Sequence, residues 1–260
     1  MNGAFYISGL GLDTQQRALD TIANNIANIN THSFKRSSVR FSEIISALDT
    51  QAMADGANFN ANLMDTNVYG VRSNVQTHFA EQGDLELTGN TMDIAVQGEG
   101  FIELTSPDGE TILWRGGFLQ QDGEGFLTAD NGLPLRSIMS VPFEASELII
   151  RDNGEVIAIM PGETENEEIG QIKLMRVNNH NDLERLDDGY YRLADGADVF
   201  EVTPMEDGGG RIVQGAVERS NVDLNREMVD MIVVQRAYAA NAQVVQAADQ
   251  ILSIVNSLRR

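Results

Sequence analysis

The chain contains no cysteine, which excludes disulfides, thiolate zinc sites and cysteine nucleophiles while leaving the compartment open. Histidine is nearly as scarce. His32, His78 and His180 stand far apart, without the short ligand spacing of a metal motif such as HExxH. Basic residues are few, 18 Lys and Arg against 39 Asp and Glu for a net charge of -21, so the cationic clusters that neutralise a phosphate backbone are missing and a nucleic-acid partner is excluded. No apolar run approaches the roughly 20 residues needed to span a bilayer, and no membrane insertion is expected. The opening MNGAFYISG has neither the basic start nor the long apolar core of a cleaved secretory leader. QGEGF and DGGGR are glycine-rich but lack the Lys-Ser/Thr of a phosphate-binding loop, and no GxSxG elbow or EF-hand pattern occurs. Among 39 carboxylates no pair stands out as acid and base. No catalytic residue, cofactor site or metal site is assigned, and no enzyme is expected.

What remains is enough for a real core. With 260 residues, 42% of them hydrophobic, the chain is long enough for one large or two modest domains. Its charge is unevenly placed: residues 1–45 carry net +1, residues 217–260 carry net 0, and the centre carries the remaining -22. An acidic exterior serves solubility, or keeps a surface from adhering to its neighbours.

The acidic centre is marked by short β-branched or aromatic runs, MDIAVQ, GFIELT, ELIIRD, EVIAIM and GQIKLMRV, separated by turn dipeptides. Asp108-Gly109, Asp122-Gly123, Asn131-Gly132, Asn153-Gly154, Asp188-Gly189, Asp195-Gly196 and Asp207-Gly208 would fold these runs back on one another. A mostly antiparallel β-domain is expected over 80–216. Residues 46–79, rich in Ala, Asn and Asp, read as an extended connector or a disordered linker.

Both ends carry helical periodicity. Phe5, Leu12, Leu19 and Ile26 recur every seven residues with Ile22 and Ile29 as companions, which predicts a helix from about Leu10 or earlier, its first turns weakened by Gly9 and Gly11, to Ile29. At the other end Met231, Val234, Tyr238, Val245, Ala248, Leu252 and Val255 follow the same logic, widened by Ala237, Val244, Ile251 and Leu258, with Asp223 as N-cap. The expected fold is α+β: N- and C-terminal helices, 1–45 and 217–260, paired as a coiled-coil domain around the central β-domain.

The stretch TIANNIANINTHSF, from Thr21 to Phe34, has no charged residue apart from a neutral His32. Thr21, Asn24, Asn28 and Thr31 share a face other than that of the isoleucines, where a solvated helix would carry Lys and Glu. AYAANAQVVQAA and QILSIVNSL are equally bare. Helices of small, apolar and amide residues all round are covered on more than one side, because amides satisfy buried hydrogen bonds without the desolvation cost of a charge. The cover comes from other molecules, or from the β-domain of the same chain. On the first reading the candidate subunit-interface residues are Leu12, Leu19, Ile22, Asn24, Asn25, Ile26, Asn28, Ile29, Phe34 and Lys35, with Met231, Val234, Tyr238, Asn241, Val245, Ala248, Leu252 and Val255. The basic Phe34-Lys35-Arg36 and Arg40-Phe41 pairs read as cations at a helix C-terminus or as an anion contact on a partner.

LDTIANNIANINTHSFKRS resembles the N-terminal signature of the bacterial flagellar axial family of rod, hook and hook-associated proteins. TGNTMDIAVQGEGFIEL with WRGGFLQQDGEGFLTADNGLPL is similar to the internal motif of its rod and hook members, and VQGAVERSNVDLNREMVDMIVVQRAYAANAQVVQAADQIL to the C-terminal one. Size and a single β-region most resemble a distal rod subunit. The resemblance implies a structural protein of the basal-body rod in the periplasm, polymerising with itself into a helical tube that transmits torque from motor to hook. It also implies contacts with other rod and hook subunits, with the flagellar type III export apparatus and with the surrounding basal-body rings; a hook-type or cap-like assembly protein is the alternative. His32-Ser33-Phe34 departs from the family, which often has Asn-Gly or Pro-Gly before the aromatic-Lys pair, so the turn after the first helix is expected to differ.

Overall fold

A computed structural model describes residues 2–45, 69–137, 139–161, 167–186, 189–194, 196–206 and 208–258. The chain divides into two units. One comprises Met1–Ile26, Ser37–Thr77 and Asp223–Arg260, the other Ala27–Arg36 and His78–Val222.

The first unit contains both long helices and a hairpin. Helix α1 (Asn2–Ala27) begins earlier than the glycines predict and ends sooner. Gly11 is tolerated because the side chain of Asn241 lies against it: a Cβ there would come within 3.0 Å of the Asn241 amide nitrogen. Helix α2 (Leu224–Leu258) starts as its N-cap dictates, Asp223 Oδ1 accepting from the Asn225 amide at 2.8 Å and the Arg226 amide at 3.4 Å. Strands β1 (Ser37–Ile45) and β2 (Tyr69–Thr77) pair antiparallel over nine residues, Ser37 opposite Thr77. Of the connector expected over 46–79, residues 46–68 lie outside the described residues and 69–77 are strand β2.

The second unit is built of antiparallel sheets, as the alternation of short runs and Asp/Asn-Gly turns requires. Strand β3 (Leu85–Leu87) precedes β4 (Asp93–Gln97), β5 (Phe101–Thr105), β6 (Thr111–Trp114), β7 (Gly116–Gln121) and β8 (Leu127–Ala129). There follow β9 (Glu147–Ile150), β10 (Glu155–Ile159), β11 (Glu167–Gln171), β12 (Leu174–Val177), β13 (Leu183–Arg185), β14 (Tyr190–Leu193), β15 (Val199–Val202), β16 (Arg211–Gln214) and β17 (Ala216–Glu218). Among the described residues the six-stranded sheet runs β13-β14-β6-β5-β12-β15, with a four-stranded sheet β16-β4-β7-β8, a three-stranded sheet β11-β10-β9 and the pair β17-β3.

The six-stranded sheet is apolar on both faces, which explains why its strands read as continuous runs rather than strict alternation. Ile102, Leu104, Trp114, Leu174 and Tyr190 enter the main core with Ile94, Val96, Leu127, Val156 and Ile212. Their strand neighbours Phe101, Leu113, Met175 and Tyr191 form a second core on the opposite face, closed by Phe79. Trp114 stacks on Tyr190 at 6.2 Å, and the Tyr190 hydroxyl donates to the Asp130 carboxylate. In the WRGG motif Gly116 has φ 110°, and a Cβ on it would lie 2.4 Å from the Ile94 carbonyl oxygen, so only glycine lets β7 lie against β4 there.

The turn after α1 keeps the left-handed conformation that a glycine would take, so the difference expected from Ser33 is not found in the backbone. Ser33 takes φ 57°, a left-handed conformation costing a non-glycine residue of order 1 kcal/mol. It is held there because its amide donates to the Glu218 carbonyl at 2.8 Å and its hydroxyl to the Gly116 carbonyl at 3.0 Å.

Two outcomes follow. Ser33→Gly exchanges backbone relief for one lost hydrogen bond and leaves unfolding stability within about 0.5 kcal/mol, whereas Ser33→Ala keeps the strain and costs about 1–2 kcal/mol; denaturant titration of Trp114 fluorescence separates them. Tyr191 is fully buried, its hydroxyl finds no hydrogen-bond partner among the described residues, and burial pushes the phenol up to about 12, with Arg185 and Arg115 pulling it part of the way back. Because this value is raised above the ordinary 10, the associated stability is complete below pH 10 and is lost as pH rises toward 12, on the order of 3 kcal/mol in all. Tyr191→Phe therefore stabilises the β-rich unit by about 1 kcal/mol at neutral pH and removes that share of the alkaline loss.

Candidate assembly surface

The inner stripe of α1 is mostly small and polar, with Ile22 its one large apolar residue. Ser8, Thr14, Ala18, Ile22 and Asn25 are its buried positions, whereas Leu12, Leu19 and Ile26, on which the heptad reading centred, are half-buried. Gly11, Ala18 and Asn25 stand seven apart, so a close-approach point, a methyl group and an amide line one seam. Thr14 satisfies its hydroxyl within the helix, donating to the Gly11 carbonyl at 2.8 Å.

Asn25 is the most constrained of these. Its Nδ2 donates to the Ser37 carbonyl at 2.7 Å and to Glu227 Oε2 at 3.1 Å, and its Oδ1 accepts the Ser37 amide at 3.0 Å. Asn25 and Glu227 have no exposed surface. One side-chain amide thus completes the start of β1 as a strand neighbour would, and ties it to the first turn of α2. No other side chain of that length offers donor and acceptor together except aspartic acid in its protonated form. The contact of Gly11 with Asn241 and that of Asn25 with Glu227 are fourteen residues apart on each helix and run in opposite directions, so α1 and α2 are antiparallel where they touch.

On α2 the expected residues Met231, Val234, Asn241, Val245 and Ala248 are half-buried, and Tyr238 is exposed. The side chains of Leu252 and Val255 lie outside the described residues. A second apolar face is open: Met228, Val229, Ile232, Val233, Val244, Ile251 and Ile254 are each at least half exposed. From Ala237 to Leu258 the helix carries one charged residue, Asp249. The widened heptad face read from the sequence passed over Met228, Val229, Ile232, Val233 and Ile254, although the MVDMIVV run, broken only by Asp230, carries the signal of a helix apolar on more than one side.

The remaining expected residues fall elsewhere. Asn24 is exposed; Asn28 and Ile29 are half-buried in the β-rich unit, where Thr31 donates its hydroxyl to Asn28 Oδ1 at 3.1 Å. Phe34 and Lys35 are buried inside that same unit: Arg185 lies over the Phe34 ring at 3.8 Å, and Lys35 Nζ donates to Glu218 Oε1 at 2.6 Å and to the Glu81 carbonyl at 2.9 Å. Burial holds the Lys35 amine below the ordinary lysine value; Glu218 opposes this and Arg115 adds to it.

Among the described residues no three His, Asp or Glu side chains are placed to hold a metal ion. A cavity of about 600 Å³ lined by Asp108, Glu110, Glu184 and Arg192 has its arginine engaged already, Nε lying 3.1 Å from Glu110 and NH1 3.7 Å from Glu184.

Comparison with known proteins agrees with these features. Residues 5–35 match the family model described as flagella basal body rod protein, residues 95–158 the flagellar hook protein FlgE/F/G D1 domain, and residues 213–258 the flagellar basal body rod FlgEFG protein C-terminal region. The chain is 33% identical to the flagellar basal-body rod protein FlgG of Buchnera aphidicola subsp. Schizaphis graminum, over 98% of this chain and 99% of that one. It is 32% identical to the FlgG of Agrobacterium fabrum over 97% and 98%, and 31% identical to that of Borreliella burgdorferi over the full length of both. With the three matched segments covering α1 and its turn, the sheets around WRGG, and β17 with α2, the chain belongs to the family of flagellar basal-body rod proteins.

Proposed function

We propose that the chain works by packing, as a subunit whose terminal helices are completed by other subunits. It is a structural protein of the flagellar basal-body rod, located in the rod that spans the periplasm. The observation that carries the packing mechanism is the open apolar face of α2, seven apolar side chains at least half exposed on a helix that carries one charged residue, Asp249, after Arg236. Monomeric soluble proteins rarely leave so large a contiguous apolar face in water. The antiparallel contacts of α1 with α2 support a coiled-coil domain made of the two chain ends, 1–45 and 217–260, as the polymerising part. Repeated by helical symmetry, many small contacts per subunit give a tube that resists twisting and transmits torque from motor to hook. Rod and hook subunits bounding the segment would meet the same faces, and the export apparatus and surrounding rings are its further partners.

Asn25 has a supporting role in this mechanism. Being covered by its own chain, it acts on assembly through the placement of α1, β1 and the first turn of α2. The direct contacts fall to exposed positions of α2.

Ile232→Asp and Val244→Asp place a carboxylate at positions at least half exposed, so folding of the isolated chain changes by no more than about 0.5 kcal/mol while rods vanish from purified basal bodies. Phe143→Asp, in the β-rich unit and 73% exposed, serves as the control that leaves assembly intact. Normal rods built from Val244→Asp protein contradict the mechanism. Asn25→Ala strands the Ser37 backbone groups and removes one donor from the buried Glu227 carboxylate; a loss of about 2–4 kcal/mol is expected in the helical circular dichroism transition, with Trp114 fluorescence unmoved.

A further inference from the structure

One ion cluster has no part in the packing mechanism. Glu218, at the end of β17, is completely buried; its Oε1 accepts from Lys35 Nζ at 2.6 Å and from the Gly83 amide at 2.9 Å, and its Oε2 from Arg115 Nε at 3.3 Å. Lys35 and Arg115 are buried as well, so one carboxylate balances two enclosed cations. Arg115 is anchored independently, donating to the Gly98 and Gly100 carbonyls at 2.8 and 2.7 Å. Lys35 belongs to residues 33–36, a strap that lies against the end of β17 and the segment after it. The Ser33 amide reaches the Glu218 carbonyl, the Phe34 carbonyl accepts from the Asn221 amide at 3.3 Å, and the Arg36 amide donates to Asn221 Oδ1 at 2.6 Å. Asn221 in turn donates to the His78 and Glu81 carbonyls.

The partners come from distant parts of the chain, Lys35 and Glu218 being 183 residues apart. Their order of arrival is constrained by charge. With β17 in place and the strap absent, Glu218 and Arg115 form a neutral pair. With the strap in place and β17 absent, Lys35 and Arg115 are brought together without the carboxylate that balances them, and the Ser33 amide lacks its acceptor on Glu218. Only the first intermediate is allowed. We propose that residues 33–36 are a latch that closes last, seating on the β-rich unit only after β17 has docked, so that closure registers that the chain is complete through residue 218. A chain delivered only in part cannot close it.

The test uses the full chain and two reporters, tryptic cleavage after Arg36, which is buried in the latch, and Trp114, the only tryptophan. On refolding from denaturant, amides of β9 and β10 become protected first, and resistance to trypsin at Arg36 arises in a later phase together with the final Trp114 change. Glu218→Gln, which leaves two cations facing a neutral amide, speeds cleavage after Arg36 at least tenfold while β9 and β10 stay protected. Lys35→Met keeps the Arg115–Glu218 pair and gives a smaller increase. The latch is overturned if Arg36 is protected before or with the sheet amides, if Glu218→Gln is cleaved at the parent rate, or if Lys35→Met opens the strap as much as Glu218→Gln. Should Glu218→Gln fail to fold, the refolding order of the unaltered chain and the Lys35→Met rate decide.

Discussion

Enclosing a polar group obliges the chain to supply its partner, and each unit of this protein is organised around one such obligation. In the helical unit it is Asn25, whose amide serves as the missing strand neighbour of Ser37 and as a donor to Glu227. In the β-rich unit it is Glu218, which gathers Lys35, Arg115 and the Gly83 amide. Both draw together segments that are far apart in sequence. Apolar packing would hold the same segments without choosing among registers, whereas a buried amide or carboxylate left unmatched costs more than a small cavity does. In the helical unit this discrimination has particular value, because apart from Ile22 the α1 seam is made of Ser8, Gly11, Thr14 and Ala18, side chains too small to enforce alignment by shape.

Small seam residues also explain how a helix with poor intrinsic propensity is used. Asparagine, threonine and glycine in α1 lower its stability in isolation, and the helix depends on its neighbours for its existence. Close approach is the compensating gain, Gly11 admitting Asn241. The aliphatic residues that would ordinarily fill such a seam sit on the open side of α2, where they contribute nothing to the isolated chain and are available to neighbouring subunits. On the proposed packing mechanism, stability is thereby moved from the monomer to the assembly.

The β-domain was largely legible, since β-branched runs and Asp/Asn-Gly turns are local signals that need no partner to be read. Six of the seven marked glycines adopt positive φ; at Asp122-Gly123 that role passes to Gly125, two residues on. Asp223 as N-cap was legible for the same reason. The start of α1 was not, because the tolerance of Gly11 comes from Asn241, 230 residues away. Nor was the duty of Asn25: the lack of charge in its stretch pointed to burial, but Ser37 and Glu227 lie 12 and 202 residues from it. Lys35 read as part of a positive patch because sequence shows a cation without showing Glu218. The domain signals were local and the site signals were not, which is why the first were read and the second were only surrounded.

Burial of these cations leaves the charge balance of the exterior nearly unchanged. Among the described residues Lys35, Arg36 and Arg115 are taken inside together with Asp93, Glu103, Glu218 and Glu227, so the exterior stays about as acidic as the net charge of -21 indicates. Two copies approaching through their β-rich units repel one another, and a weak adventitious contact there is discouraged. The ends, with net charges of +1 and 0, are exempt. On the proposed packing mechanism, attraction and repulsion are divided along the chain: the acidic centre excludes wrong encounters, and α2, with two Arg against three Asp and Glu, meets other copies with little electrostatic penalty.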